Sequence, residues 1–148
     1  MTEKLLQGKD YIGVGGGVLI VNDDGDVLLM KRGGDVRNES GWWSKPGGGV
    51  KFGETAIEAM KREMKEELDI EIEITGYLPH TDHIIESENQ HWASFNFIAH
   101  ITKGEPKNME TDKCDAVKWF ALDHLPKKIT QTTSEPIENY ITKRYITL

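Results

Sequence analysis

Three glutamates, Glu63, Glu66 and Glu67, fall at i, i+3 and i+4 in the segment REMKEEL. In a helix, at 100° per residue, they span about 100° of arc, so their carboxylates share one face. Like charges about 6 Å apart repel by roughly 0.7 kcal/mol per pair in water and about 3 kcal/mol at an effective dielectric of 20. A hard divalent cation reverses the sign of that term. Carboxylate oxygens are the donors Mg²⁺ takes, commonly one or two of them together with substrate phosphates. Arg62 precedes Glu63, and Glu54 lies eight residues before Arg62. A carboxylate at 54 can pair with the guanidinium and fix it, and Arg62 can in turn hold Glu63. Upstream, Gly47, Gly48 and Gly53 let backbone approach the helix closely and present bare carbonyl and amide groups to a metal or a phosphate. A Glu-rich helix face standing alone is ordinarily a solvated surface; the upstream glycines and the Glu54–Arg62 spacing set this one apart.

The elements that must position these groups are readable in outline. Ile57, Met60, Met64 and Leu68 recur at spacings of 3, 4 and 4, which predicts an amphipathic helix over 55–68 with one apolar stripe. Thr55 or Glu54 can cap its start, and Asp69 lies where it should end. Tyr11–Val21 and Asp26–Lys31 are β-favouring runs separated by Asn-Asp-Asp-Gly, which reads as a hairpin. The glycines at 13, 15, 16 and 17 do not make a dinucleotide fingerprint, because the spacing is wrong and no helix follows; a tightly approached strand is the better reading. Residues 33–41 form a polar loop, and strands are expected over 70–78, 92–101 and 116–122. Ser134, Glu135 and Pro136 read as an N-cap and an early proline opening a closing helix. The order is mixed α/β with separated connections rather than a regular βαβ series.

Composition narrows the function. At 148 residues the chain has the size of one domain. It carries 18 Lys and Arg against 25 Asp and Glu, a net charge of −7, with no basic run longer than two residues. Binding to duplex nucleic acid rests on phosphate neutralisation by a basic face, so a nucleic-acid partner is not expected. No apolar run reaches the ~20 residues of a membrane span, and the start lacks a signal-peptide core. Cys114 is the lone cysteine and fits a reducing compartment. A cytoplasmic protein without a membrane partner is the expectation.

Read as one string, Gly48–Ile70 is GGVKFGETAIEAMKREMKEELDI. It resembles the Nudix box, G-x5-E-x7-R-E-U-x-E-E-x-G-U with U a bulky apolar residue. Gly48, Glu54, Arg62, Glu63, Met64, Glu66, Glu67 and Ile70 match; Asp69 stands in place of the final glycine, where a helix commonly ends in the left-handed conformation. Residues 85–92 and 104–126 are similar to the MutT-like nucleotide diphosphatase subgroup, and the likeness fades beyond Pro126, where that subgroup's base-contacting residues lie. The resemblance implies a single Nudix domain over 1–148 with its box at 48–70, an α/β/α sandwich with a mixed sheet flanked by helices. It implies Mg²⁺-dependent hydrolysis, with Mn²⁺ as a substitute, of a small nucleotide in which a nucleoside diphosphate is linked to another group. A (d)NTP yielding (d)NMP and pyrophosphate is the leading case. ADP-ribose or nucleotide-sugar cleavage is an alternative, and a non-catalytic nucleotide-binding regulator on the same fold is another. Glu63 and Glu67 are then the principal metal ligands, assisted by Glu66 and the Gly47 carbonyl, with Glu63 or Glu66 as base and Arg62 orienting Glu63. Gly48 and Glu54 shape the box, and Arg32 and Gly48 are expected to contact substrate. A homodimer is compatible with the subgroup.

Other residues have weaker claims. His80, His83, His91 and Cys114 lack the spacing of a zinc finger. Glu110, Asp112 and Asp115 could include one further ligand, although a solvated loop is the simpler reading. Trp42, Trp43, Trp92 and Trp119 could stack on a base, and at least two are expected in packing.

Overall fold

The computed structural model describes residues 4–33 and 40–148; residues 34–39 of the polar loop lie outside the described residues. β1 (Gly13–Ile20) and β2 (Val27–Arg32) are each apolar on both faces, as central strands are. They do not form the expected hairpin. A single bridge joins Val21 to Val27 across a turn in which Asn22 Oδ1 accepts from the N–H groups of Asp24 and Asp26 at 3.0 and 2.9 Å. Beyond that bridge the strands enter different sheets. The reason is burial: Val18, Ile20, Leu28 and Met30 belong to one apolar cluster and Leu19, Val27 and Leu29 to another. Each strand therefore needs a core on both sides, which a two-stranded ribbon cannot give it.

The larger sheet has the order β4–β1–β6–β5–β8, with β4 (Gly47–Gly49), β5 (Glu71–Ile85), β6 (Gln90–Lys103) and β8 (Ile146–Thr147). β1 runs parallel to β6, and the other pairs are antiparallel. The smaller antiparallel sheet is β3 (Trp43–Ser44), β2 and β7 (Cys114–Phe120). Alternation of Glu71, Glu73 and Tyr77 outward with Ile72, Ile74 and Leu78 inward explains the start of β5. The strand continues past the expected end at 78, because register shifts around Gly76 and between Leu78 and Thr81 let it turn without leaving β6.

α1 (Ala56–Leu68) is bounded close to the sequence expectation. Thr55 caps it and forms a reciprocal box with Glu58, and Asp69 closes it in the left-handed region at φ 54°. Ala59, Met60, Met64 and Leu68 are buried on the Val18/Ile20 side of the sheet. α2 (Gln131–Ile141) begins earlier than expected: its N-cap is Thr130, and Pro136 lies inside the helix rather than at its first position. Ile137 carries α2 onto the second cluster beside Leu78 and Ile98. A mixed sheet and a smaller antiparallel one, with two helices packed on them, give the α/β/α sandwich that the box implied. No helix among the described residues is long and apolar enough to cross a membrane.

Candidate active site

β4 is the link between the sheet and α1. Val18 N–H donates to the Pro46 carbonyl and Val50 N–H to the Val14 carbonyl, both at 2.9 Å. Antiparallel pairing alternates, so Gly47 and Gly49 turn their backbone groups away from β1 and towards α1. The Gly49 carbonyl accepts from Arg62 Nη2 at 3.0 Å, and Gly47 N–H donates to the Glu67 carboxyl. The absence of a side chain at Gly48 is required by what lies beside it: a Cβ there would be 2.4 Å from the Glu63 carboxyl carbon.

Arg62 is the centre of an ionic network. Its Nε and Nη2 donate to the two Glu54 oxygens at 2.7 and 3.0 Å, and its Nη1 donates to Glu63 Oε1 at 3.0 Å and Glu66 Oε2 at 3.2 Å. Glu54 Oε1 also accepts the Lys51 N–H at 2.8 Å. The fork of the guanidinium and then this N–H hold the Glu54 carboxyl down at about 2. In return Glu54, with Glu63 assisting, raises the Arg62 pKa. One side chain thereby ties the loop before α1, the helix and β4 together.

Glu63 and Glu67, one helical turn apart, meet side by side. Glu67 is only 8% exposed. Burial first, then the hydrogen bond that its protonated form donates to Glu63 and the negative charges of Glu63 and Glu110, push its carboxyl well above the ordinary range, and Gly47 N–H opposes that only in part. Two carboxyl groups brought together in this way repel when both are ionised, a cost that a bound cation would relieve. This hard-oxygen pair beside bare glycine backbone fits a divalent ion that takes one or two carboxylates and completes its shell with substrate oxygens. Glu66 does not join the pair: its side chain is 54% exposed and rests on Arg62. Among the described residues no group of three or more His, Cys, Asp or Glu side chains could by itself hold a metal ion, and this includes the histidines and Cys114 of the zinc reading.

Glu63, Glu67, Gly47 and Gly48 line one part of a cleft of about 480 Å³, a size suited to a small-molecule ligand. Arg32, at the end of β2, and Glu110 also line it, while Asp112 and Asp115 do not. Gly15 and Gly17 of β1 line the cleft, and Gly13 lies on the same face of the strand. A Cβ on Gly13 would strike the Trp92 ring at 2.5 Å, and one on Gly17 would strike the Lys45 side chain at 2.2 Å. Of the four tryptophans only Trp92 lines the cleft. Trp43 packs edge-on against Phe120 at 4.8 Å, Trp119 packs on the core, and Trp42 lies at the surface. Sequence reasoning missed Lys45 and the threonines 130, 132 and 133 that line the cleft near it; the alternating glycines of β1 were the one local signal that something must pass over that strand. Burial lowers the Lys45 ammonium to about 8.

The sequence model described as the NUDIX domain matches residues 12–140. The chain is 26% identical over 136 residues to Nudix hydrolase 5 of Arabidopsis thaliana, covering 89% of this chain and 39% of that protein. It is 29% identical over 110 residues to the human 8-oxo-dGDP phosphatase NUDT18, covering 73% and 32%. It therefore spans less than half the length of these relatives. Among solved structures, the MutT NUDIX hydrolase from Burkholderia pseudomallei superposes with a TM-score of 0.81 at 40% identity, covering 86% of this chain and 97% of that one.

Proposed function

Because the chain belongs to the Nudix domain family, we propose that it is a divalent-metal-dependent hydrolase that splits a (d)NTP into (d)NMP and pyrophosphate. The single observation carrying this reading is the Glu63–Glu67 pair: two carboxyls in contact, Glu67 buried, beside the glycine backbone of β4 and open to a cleft of nucleotide size. A carboxyl pair this close is costly unless a proton or a cation sits on it. In an acidic protein facing a polyanionic substrate, a cation answers both demands. Glu63, Glu67 and the Gly47 backbone would hold the ion, Mg²⁺ by preference with Mn²⁺ as a substitute. When bound there it supplies neutralisation of substrate oxygens and acidification of water.

The chain's own residues have distinct roles in this reading. Water adds through its oxygen to a phosphorus of the P–O–P bridge, the bond from that phosphorus to the bridging oxygen breaks, and the water's proton passes to a glutamate carboxylate. Glu63 is the first candidate base, because Arg62 Nη1 fixes its Oε1 and it lines the cleft. Glu66, held on the same guanidinium, is the second. Arg62 acts as a positioning residue, and Arg32 supplies a cation for the phosphates from the cleft wall.

The test is a panel of NTPs, dNTPs, oxidised nucleotides, ADP-ribose and nucleotide sugars assayed with Mg²⁺. Pyrophosphate plus a nucleoside monophosphate is the expected product pair. Two organic monophosphates would instead identify an ADP-ribose or nucleotide-sugar pyrophosphatase, and tight nucleotide binding with no turnover would identify a binding regulator.

A further inference from the structure

Pro136 is the sixth residue of α2, deep enough that its main-chain nitrogen should donate to the Thr132 carbonyl. Proline has no N–H, so that acceptor loses its helical partner. The partner it has comes from far away in sequence: Lys45 Nζ donates to the Thr132 carbonyl. The same segment continues the tie along its backbone. Lys45 N–H donates to Thr133 Oγ1 at 3.0 Å, Thr130 N–H to the Trp43 carbonyl at 3.0 Å and Trp43 N–H to the Lys128 carbonyl at 2.8 Å. Thr130 Oγ1 donates to Thr133 Oγ1 at 2.8 Å, and both threonines are buried. The lysine stem reaches Thr132 by crossing β1 at Gly17, where a Cβ would lie 2.2 Å from its Cε. Gly17, Lys45 and Pro136 thus form one device: a bare strand position, a donor laid across it, and a helix carbonyl left open to receive that donor.

We propose that Lys45 is a positioning residue of the substrate cleft, its amino group replacing the N–H that Pro136 lacks and so fixing the Thr130–Thr133 turn as a wall of the cleft. The inference rests on the reading that this cleft takes the nucleotide. The turn carries three threonines that line the cleft, and they come from the N-cap and first turn of α2, whereas Glu63 and Glu67 come from α1. Losing the tie therefore loosens substrate binding without moving the carboxyl pair.

The experiment compares Lys45→Met, Pro136→Ala and the double variant, using the best nucleotide of the panel and amide hydrogen exchange across α2. Lys45→Met is expected to raise KM by ~10-fold with kcat within ~2-fold and to speed exchange in α2. Pro136→Ala returns an N–H to the helix, so in the double variant KM and exchange should fall back to within ~3-fold of wild type. Should the single lysine variant fold poorly, the double variant is expected to fold. A Lys45→Met protein with a lower melting temperature and an unchanged KM would overturn the inference. So would a double variant that keeps the raised KM, because the lysine would then be touching substrate itself. If wild-type protein turns over no nucleotide, the proposed function falls on its own, and the exchange data still decide whether Lys45 and Pro136 are coupled.

Discussion

Replacing Gly48 by alanine puts a methyl group where the Glu63 carboxyl now lies. The added Cβ would be 2.4 Å from both the carboxyl carbon and Oε1 of Glu63, against 3.4 Å or more for ordinary contact, so the carboxyl must retreat by about 1 Å. Retreat loosens its 3.0 Å contact with Arg62 and its contact with Glu67. Misplacing a reacting group by about 1 Å costs on the order of 100-fold in rate, equivalent to about 2.7 kcal/mol of transition-state stabilisation. The backbone gives no reason for unfolding, because Gly48 is not among the glycines at positive φ; alanine there also removes freedom from the unfolded chain, worth about 0.4–1 kcal/mol. Gly49→Ala is the internal control. Its Cβ would meet nothing closer than 3.6 Å, and the Gly49 carbonyl that Arg62 uses is untouched. Steady-state pyrophosphate release with Mg²⁺, alongside thermal melts, should show Gly48→Ala folded and ~100-fold slower, with Gly49→Ala within ~3-fold of wild type. Equal activity in the two variants, or equal loss, would refute the claim that close packing of Glu63 on Gly48 sets the geometry.

Glu67→Gln should lower turnover by at least ~100-fold and blunt the response to Mg²⁺, while melting at the same or a higher temperature, because a buried carboxyl beside two acidic neighbours is replaced by a neutral amide; a near-wild-type rate would refute the ligand assignment. Glu54 titrates at about 2 in the folded chain against 4.5 for the free group, so its contribution is complete above pH 4.5 and is lost as pH falls towards 2. Melting curves of Glu54→Gln across that window should be flatter than those of wild type, and parallel curves would show that the Arg62 pairing contributes nothing to acid stability. Asp69→Gly restores the glycine of the family pattern and relieves about 1 kcal/mol of left-handed strain. It also deletes the exposed Lys65–Asp69 pair, a small loss in solvent, and frees the unfolded backbone by about 0.4–1 kcal/mol. Denaturant unfolding should therefore place it within about 0.5 kcal/mol of wild type, and a gain well beyond 1 kcal/mol would mean that the strain has been underestimated.

What the residues foretold and what they hid divide along the range of the interactions involved. α1 was legible because every determinant is local: the apolar stripe, the Thr55–Glu58 box and the Asp69 stop lie within one segment. The Glu54–Arg62–Glu63 chain was legible for the same reason. The hairpin reading failed because Asn-Asp-Asp-Gly specifies a turn but says nothing about where the strands go afterwards; burial on both faces decides that. The start of α2 was misplaced because Pro136 looks like a first-turn proline, and the group that makes it tolerable in the helix body is Lys45, invisible to any local window. Glu66 entered the ligand set as an assisting group through the likeness to the box; its spacing on the helix fixes the direction of its Cβ but gives no sign that its carboxylate rests on Arg62.

The glycine face of β1 has a consequence for how such a scaffold diversifies. Positions 13, 15 and 17 offer no side chain to vary, and at 13 and 17 an added Cβ would collide with Trp92 and Lys45. Selection for new ligands is thereby channelled to residues borrowed from elsewhere, on β6, on the segment before β4 and on α2, each of which can change without altering strand pairing. The glutamates and arginine of α1 are insulated from that experimentation, much as a fixed tool head accepts interchangeable jigs.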